Sequence, residues 1–94
     1  MPWHAVTLPN LVAAMAQCDH VGVDEFRTMY GPFHPARNLR MSYPGRRGNY
    51  EARPLLAAAY AHLAPRAGSL TPRNFRNNDA HEFLERLGFR RVKL

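Results

Sequence analysis

The chain has 94 residues, 46% of them apolar, with 13 basic side chains against 7 acidic, a net charge of +6 and one cysteine. That is one domain's worth of sequence (1–94), too apolar for intrinsic disorder and without a cysteine pair for a disulfide framework. No run approaches the ~20 apolar residues of a membrane span, so a membrane-embedded protein is excluded as a reading.

All the basic residues except Lys93 are arginine. Arginine presents a planar fork that matches phosphate oxygens, so nucleic acid is the first partner class to consider and an anionic membrane surface the second. The lone Cys18 points to a reducing compartment, and Met1-Pro2-Trp3-His4 lacks the basic-then-apolar pattern of a secretory leader. The expectation is a soluble, cytoplasmic domain, monomeric or weakly dimeric. Leu94 falls inside an expected strand, which suits a piece of a longer chain.

In chain order, Thr7 can cap a helix with Pro9 at its second position, and Leu8, Leu11, Val12, Met15 and Cys18 then fall on one face. Gly22 and Asp24 suit a second helix start; Phe26, Met29 and Tyr30 share its face, and Gly31-Pro32 stops it. Pro32 and Pro35 make the next segment extended. Leu39, Met41 and Tyr43 alternate with Arg40 and Ser42 as a half-buried strand. Pro44-Gly45 and Gly48 mark a turn, predicting a basic hairpin that returns through Asn49-Tyr50-Glu51. Pro54 opens a third helix with Leu55, Leu56, Ala59, Tyr60 and Leu63 on its face, stopped by Pro65. Ala67-Gly68-Ser69 reads as a loop, and Leu70 and Phe75 as anchors for the segment that follows. Asn77 or Asn78 can cap a last helix carrying Phe83, Leu84 and Leu87, with Gly88 as its stop and a strand from Phe89 to Leu94. The sum is an α+β domain: about four helices packed on a small, mostly antiparallel sheet with a basic hairpin.

Catalysis finds no support. No histidine has a nucleophile and a carboxylate at a recognisable spacing, and Cys18-x-His20 is too little for structural zinc. No metal or cofactor is expected, and the chain is read as a binding domain. The arginines are more informative. Arg37, Arg40, Arg46, Arg47 and Arg53 surround the hairpin, in turns and helix starts where backbone N–H groups also face outward, and these are the candidate DNA-backbone contacts. Solvated surface charge is the competing reading for any one of them. Tyr50 and Pro54 beside Arg53 can form a small apolar wall next to a phosphate.

The ordered set Asp19-x-x-Gly22-x-x-x-Phe26-x-x-x-Tyr30-Gly31, Pro35-Ala36-Arg37, Gly48-x-Tyr50-x-x-Arg53-Pro54-Leu55, Leu70, Phe75 and Leu84-x-x-Leu87-Gly88-Phe89 resembles the sulfur-binding domain of McrA-type, modification-dependent restriction endonucleases of bacteria. The resemblance runs from about Leu11 to Val92. It implies recognition of double-stranded DNA carrying a phosphorothioate, in which sulfur replaces a non-bridging phosphate oxygen, and a nuclease domain elsewhere in the parent chain. The family's sulfur pocket maps onto Tyr50, Glu51 and Pro54, with Glu51 standing where proline is common. Its histidine element maps onto His20-Val21, with His34 as the other candidate. Arg76, Asn77 and Asn78 occupy the loop implied to approach base edges, where Arg suits guanine and Asn suits adenine. The alternatives are a generic DNA- or RNA-binding module without modification specificity, and an interaction domain that docks an acidic protein.

Overall fold

The computed structural model describes residues 2–66, 70–71 and 73–93. The expected loop at Ala67-Gly68-Ser69 lies outside them, as do Pro72 and Leu94. A short 3-10 turn, Pro2–Ala5, leads into α1 (Leu8–Val21) and α2 (Val23–Tyr30). Strand β1 (Leu39–Ser42), α3 (Ala52–Leu63), α4 (Asn77–Arg86) and β2 (Arg90–Lys93) follow. The α+β expectation, helices packed on a small antiparallel sheet, is what the chain forms.

The helix starts follow from local chemistry. Asn10 Oδ1 accepts from the Thr7 N–H at 2.9 Å and from the Thr7 hydroxyl at 2.8 Å, closing the first turn of α1. Gly22 ends α1 and starts α2 at φ +92°, a left-handed conformation that glycine adopts without strain. At α4 the expected cap moves back by one residue. Arg76 is the N-cap, and Asp79 Oδ2 accepts from its N–H at 3.1 Å, so the carboxylate three residues on does the work expected of an asparagine.

Helix α3 is the centre of the domain. Ala52, Pro54 and every residue from Leu55 to Tyr60 are buried, and α1, α2, α4 and the 3-10 turn all pack on it. The small side chains of Ala57-Ala58-Ala59 let neighbours approach from several sides at once. The helix is therefore buried all round, where periodicity alone predicts one apolar face. The converse holds at Val12, Met29 and Leu63, which were expected on buried faces and are exposed. The 3-10 turn adds a contact that periodicity does not reveal: Trp3 is buried against Phe75 and Phe83.

The hairpin is reduced to a single rung. β1 pairs antiparallel with β2 along its whole length, from Leu39 opposite Lys93 to Ser42 opposite Arg90. On its other edge, among the described residues, only Met41 and Tyr50 meet, exchanging both backbone hydrogen bonds at 2.7 Å. Ala52 already begins α3, so no residues remain for a longer return strand. No described helix is long and apolar enough to cross a membrane.

Leu55→Ala is expected to lower the unfolding free energy by about 2–5 kcal/mol, because the fully buried side chain leaves a cavity. Met29→Ala, at an exposed position, should change it by no more than about 0.5 kcal/mol. Urea denaturation of the two variants checks the pair.

Candidate nucleic-acid interface

Three separate stretches of chain converge on one cleft of about 370 Å³. Its walls are the extended segment 34–39, the start of α3 (Glu51, Ala52, Arg53, Pro54) and Asn77 at the start of α4. The extended segment is held at its near end by the buried ring of Phe33 and continues into β1. Pro35 keeps it from becoming helical. The first turns of two helices thus share the cleft. Helix starts carry unsatisfied N–H groups and the positive end of the backbone dipole, a setting that favours an anion.

Two arginines add formal charge. Arg37 is exposed, and the Arg53 guanidinium lies 5.5 Å from the centroid of the Phe33 ring, a cation–π contact that steadies it at the rim. Apolar surface comes from Pro35, Ala36, Ala52 and Pro54. Asn77 is supported from behind. The His81 Nδ1 lies 2.7 Å from the Asn77 carbonyl, so that nitrogen donates. Burial holds the His81 pKa below its ordinary value.

The one acid in the cleft is internally satisfied. Glu51 is 5% exposed; its Oε1 accepts from Arg27 Nε at 2.7 Å and its Oε2 accepts from the Ala36 N–H. Arg27 also reaches Asp24 at 3.1 Å. The Arg27 pKa is raised, the hydrogen bond to Glu51 being the largest cause. Glu51 therefore turns inward.

A second polar cluster lies where α1 ends. Asp19 accepts from the Tyr50 hydroxyl at 2.8 Å through Oδ1 and from Arg46 Nη1 at 2.9 Å through Oδ2. Gly48 closes this corner: a Cβ there would stand 3.1 Å from Asp19 Oδ1 and 3.2 Å from the Tyr50 oxygen, a tight fit in which the Asp19–Tyr50 pair would have to give by a few tenths of an ångström. Tyr50 is 1% exposed, and its pKa is pushed up to about 12, first by burial and then by the hydrogen bond to Asp19.

These positions sort the expected site residues. Of the backbone-binding set, Arg37 and Arg53 line the cleft and Arg47 is exposed on the turn. Arg46 is half-buried and tied to Asp19, while Arg40 lies on β1 with its Nε buried and unpartnered among the described residues. Of the sulfur-pocket set, Glu51 and Pro54 line the cleft. The Tyr50 side chain faces Asp19, and His20 and Val21 sit at the end of α1, outside the lining residues. His34 lines it. Of the base-reading set, Asn77 lines the cleft, Arg76 is exposed at the helix cap, and Asn78 Nδ2 donates to Glu82 at 3.1 Å. Periodicity gave no sign of Arg27, whose role comes from a contact across 24 residues. Among the described residues no group of three or more His, Cys, Asp or Glu side chains could hold a metal ion.

The family model described as "ScoMcrA-like, N-terminal head domain" matches residues 4–93. The chain belongs to this family. The match covers nearly the whole chain and places it among McrA-type restriction enzyme modules, as the resemblance implied. Its description gives the head domain a position in the parent protein and names no ligand. No curated protein and no solved structure gives a match.

In this head domain the buried Tyr50 should resist ionisation until pH about 12, against 10.0 for a free tyrosine. An unfolded chain ionises first, so the Tyr50 contribution to stability is intact below pH 10.0 and is lost as pH rises towards about 12. Ultraviolet titration of the wild type and Tyr50→Phe should show a tyrosine ionising near pH 12 in the former whose contribution is missing from the latter.

Proposed function

We propose that the head domain binds double-stranded DNA, and that the cleft between the 34–37 segment and the first turn of α3 receives one backbone phosphate in its phosphorothioate form. In this reading the domain is a non-catalytic targeting module acting in the cytoplasm, with the nuclease carried by another part of the parent chain. The observation that carries the reading is the pairing of unlike surfaces in one cleft. Pro35, Ala36, Ala52 and Pro54 lie beside Arg37, Arg53 and two helix starts.

The chemistry suits a thiophosphate. Sulfur leaves the negative charge in place but is larger, softer and less strongly hydrated than oxygen. An ordinary phosphate oxygen placed against proline and alanine loses water without gaining a hydrogen bond, whereas sulfur loses little. That difference is worth on the order of 1–3 kcal/mol, or roughly ten- to hundred-fold in affinity. The arginines supply attraction common to any phosphate, so it weakens with salt. Of the two histidine candidates we assign His34, which lines the cleft, rather than His20. Asn77, with Arg76 and Asn78 beside it, is the candidate for contact with base edges. Arg47, exposed and without an ion pair among the described residues, is the better general phosphate contact than Arg46, whose charge Asp19 already offsets.

Two matched duplexes, one with a single sulfur at a central phosphate, test the reading. The sulfur duplex is expected to bind roughly ten-fold or more tightly than its oxygen counterpart. Equal affinity leaves a generic DNA-binding module, and no binding at low salt points to an acidic protein partner. Pro35→Ala should lower the sulfur preference while leaving the unmodified duplex almost unaffected. Arg47→Ala should weaken both duplexes alike and reduce the salt slope by about 1.

A further inference from the structure

A helix N-cap is ordinarily Ser, Thr, Asp or Asn, whose short side chain bonds back to the helix. Glu51 holds the N-cap position of α3 and makes no such bond. Its two oxygens are used elsewhere: one on Arg27 of α2, the other on the N–H of Ala36 in the cleft wall. The side chains of Glu51 and Arg27 are only 4% and 14% accessible. A single carboxylate thus ties α2, the extended segment and the start of α3 together.

We propose that the Arg27–Glu51 pair is a positioning and charge-compensating latch for the cleft, and that it sets the distance of the Ala36 wall from the Pro54 wall. This rests on the reading of the cleft as a phosphate site. The latch does two things. Through the Ala36 N–H it fixes the backbone of the extended segment, so the apolar wall stands where it excludes water from a bound sulfur. Through Arg27 it cancels the carboxylate that would otherwise repel an anion from within the cleft. A buried carboxylate without its partner is strongly unfavourable, and more so beside a second negative charge. Arg27 is accordingly a positioning residue for DNA binding although it lines no part of the cleft.

The two functions separate in three variants of the whole chain. Glu51→Gln keeps the shape but loses the charge and weakens the hold on Ala36. Arg27→Met leaves the carboxylate uncompensated, and the double variant is again neutral. Amide hydrogen exchange at Ala36 and affinity for the two duplexes are measured for each, with circular dichroism to confirm folding and Arg27→Lys as the charge-conserving control. Glu51→Gln should speed exchange at Ala36 by about ten-fold or more and bring the sulfur-to-oxygen affinity ratio close to unity, while binding to the unmodified duplex holds or rises. Arg27→Met should weaken both duplexes by about ten-fold, Arg27→Lys should largely rescue them, and the double variant should regain affinity for the unmodified duplex. The proposal is overturned if Glu51→Gln changes neither Ala36 exchange nor the ratio. It is equally overturned if the variants lose stability with the ratio intact, or if the double variant is the sum of the singles. If the wild type binds the two duplexes equally, the sulfur reading fails. The latch is then judged by exchange at Ala36 and by the charge rescue of DNA binding.

Discussion

A helix buried on every side shows only its ends. In this domain that helix is α3, and most of the structure follows from enclosing it. The alanines at 57–59 let α1, α2 and α4 close around it, which leaves its two ends as the reachable parts, and the first turn faces the cleft. Arg53 and Pro54 stand there, and the extended segment from Phe33 to Leu39 lies across it. The cleft is thus a consequence of core packing. Its floor cannot shift without disturbing the helix that the other elements are built on.

The carboxylates are arranged to leave the arginines free. Asp19, Asp24, Glu51 and Glu85 hold Arg46, Arg27 and Arg91 in ion pairs, Asp79 caps α4, and Glu82 accepts from Asn78. Among the seven acidic residues only Glu25 has no such partner among the described residues, while nine arginines carry no ion pair there. Apart from the buried Arg27–Glu51 pair, contacts of this kind add little stability. Their consequence is electrostatic: the positive charge that remains is concentrated on turns and helix starts, where an extended anion can reach it.

Local chemistry made much of the fold legible in the sequence. Thr7, Gly22, Gly31-Pro32 and Gly88 mark element ends by side-chain and backbone constraints that act within a few residues, and the elements begin and end there. The errors lie where tertiary context decides. Periodicity gave α3 one face because a run of alanines carries no directional signal. The return from Met41 to Tyr50 forms as the turn signals imply, and the final strand pairs with β1, but the hairpin is cut to one rung because α3 begins at Ala52, which no local signal at Tyr50 encodes. About half of the candidate cleft's lining was legible. Arg37, Arg53, Pro54, Glu51 and Asn77 were named and do meet in one cleft, and His34 was one of the two histidines considered. Tyr50, expected at the ligand, instead spends its hydroxyl on Asp19, since an aromatic next to a basic turn reads the same whether it faces in or out. The place of Glu51 required the contact with Arg27, which spacing does not encode.

The central claim is that a DNA phosphate sits between the 34–37 segment and the start of α3. Amide spectra of the isotope-labelled protein, titrated with a phosphorothioate duplex, test it most directly. The account predicts that the largest shifts fall on residues 34, 36, 37, 52, 53 and 77, which line the cleft. Shifts confined to Asp19, His20 and the 44–48 turn, with the cleft unmoved, would contradict it.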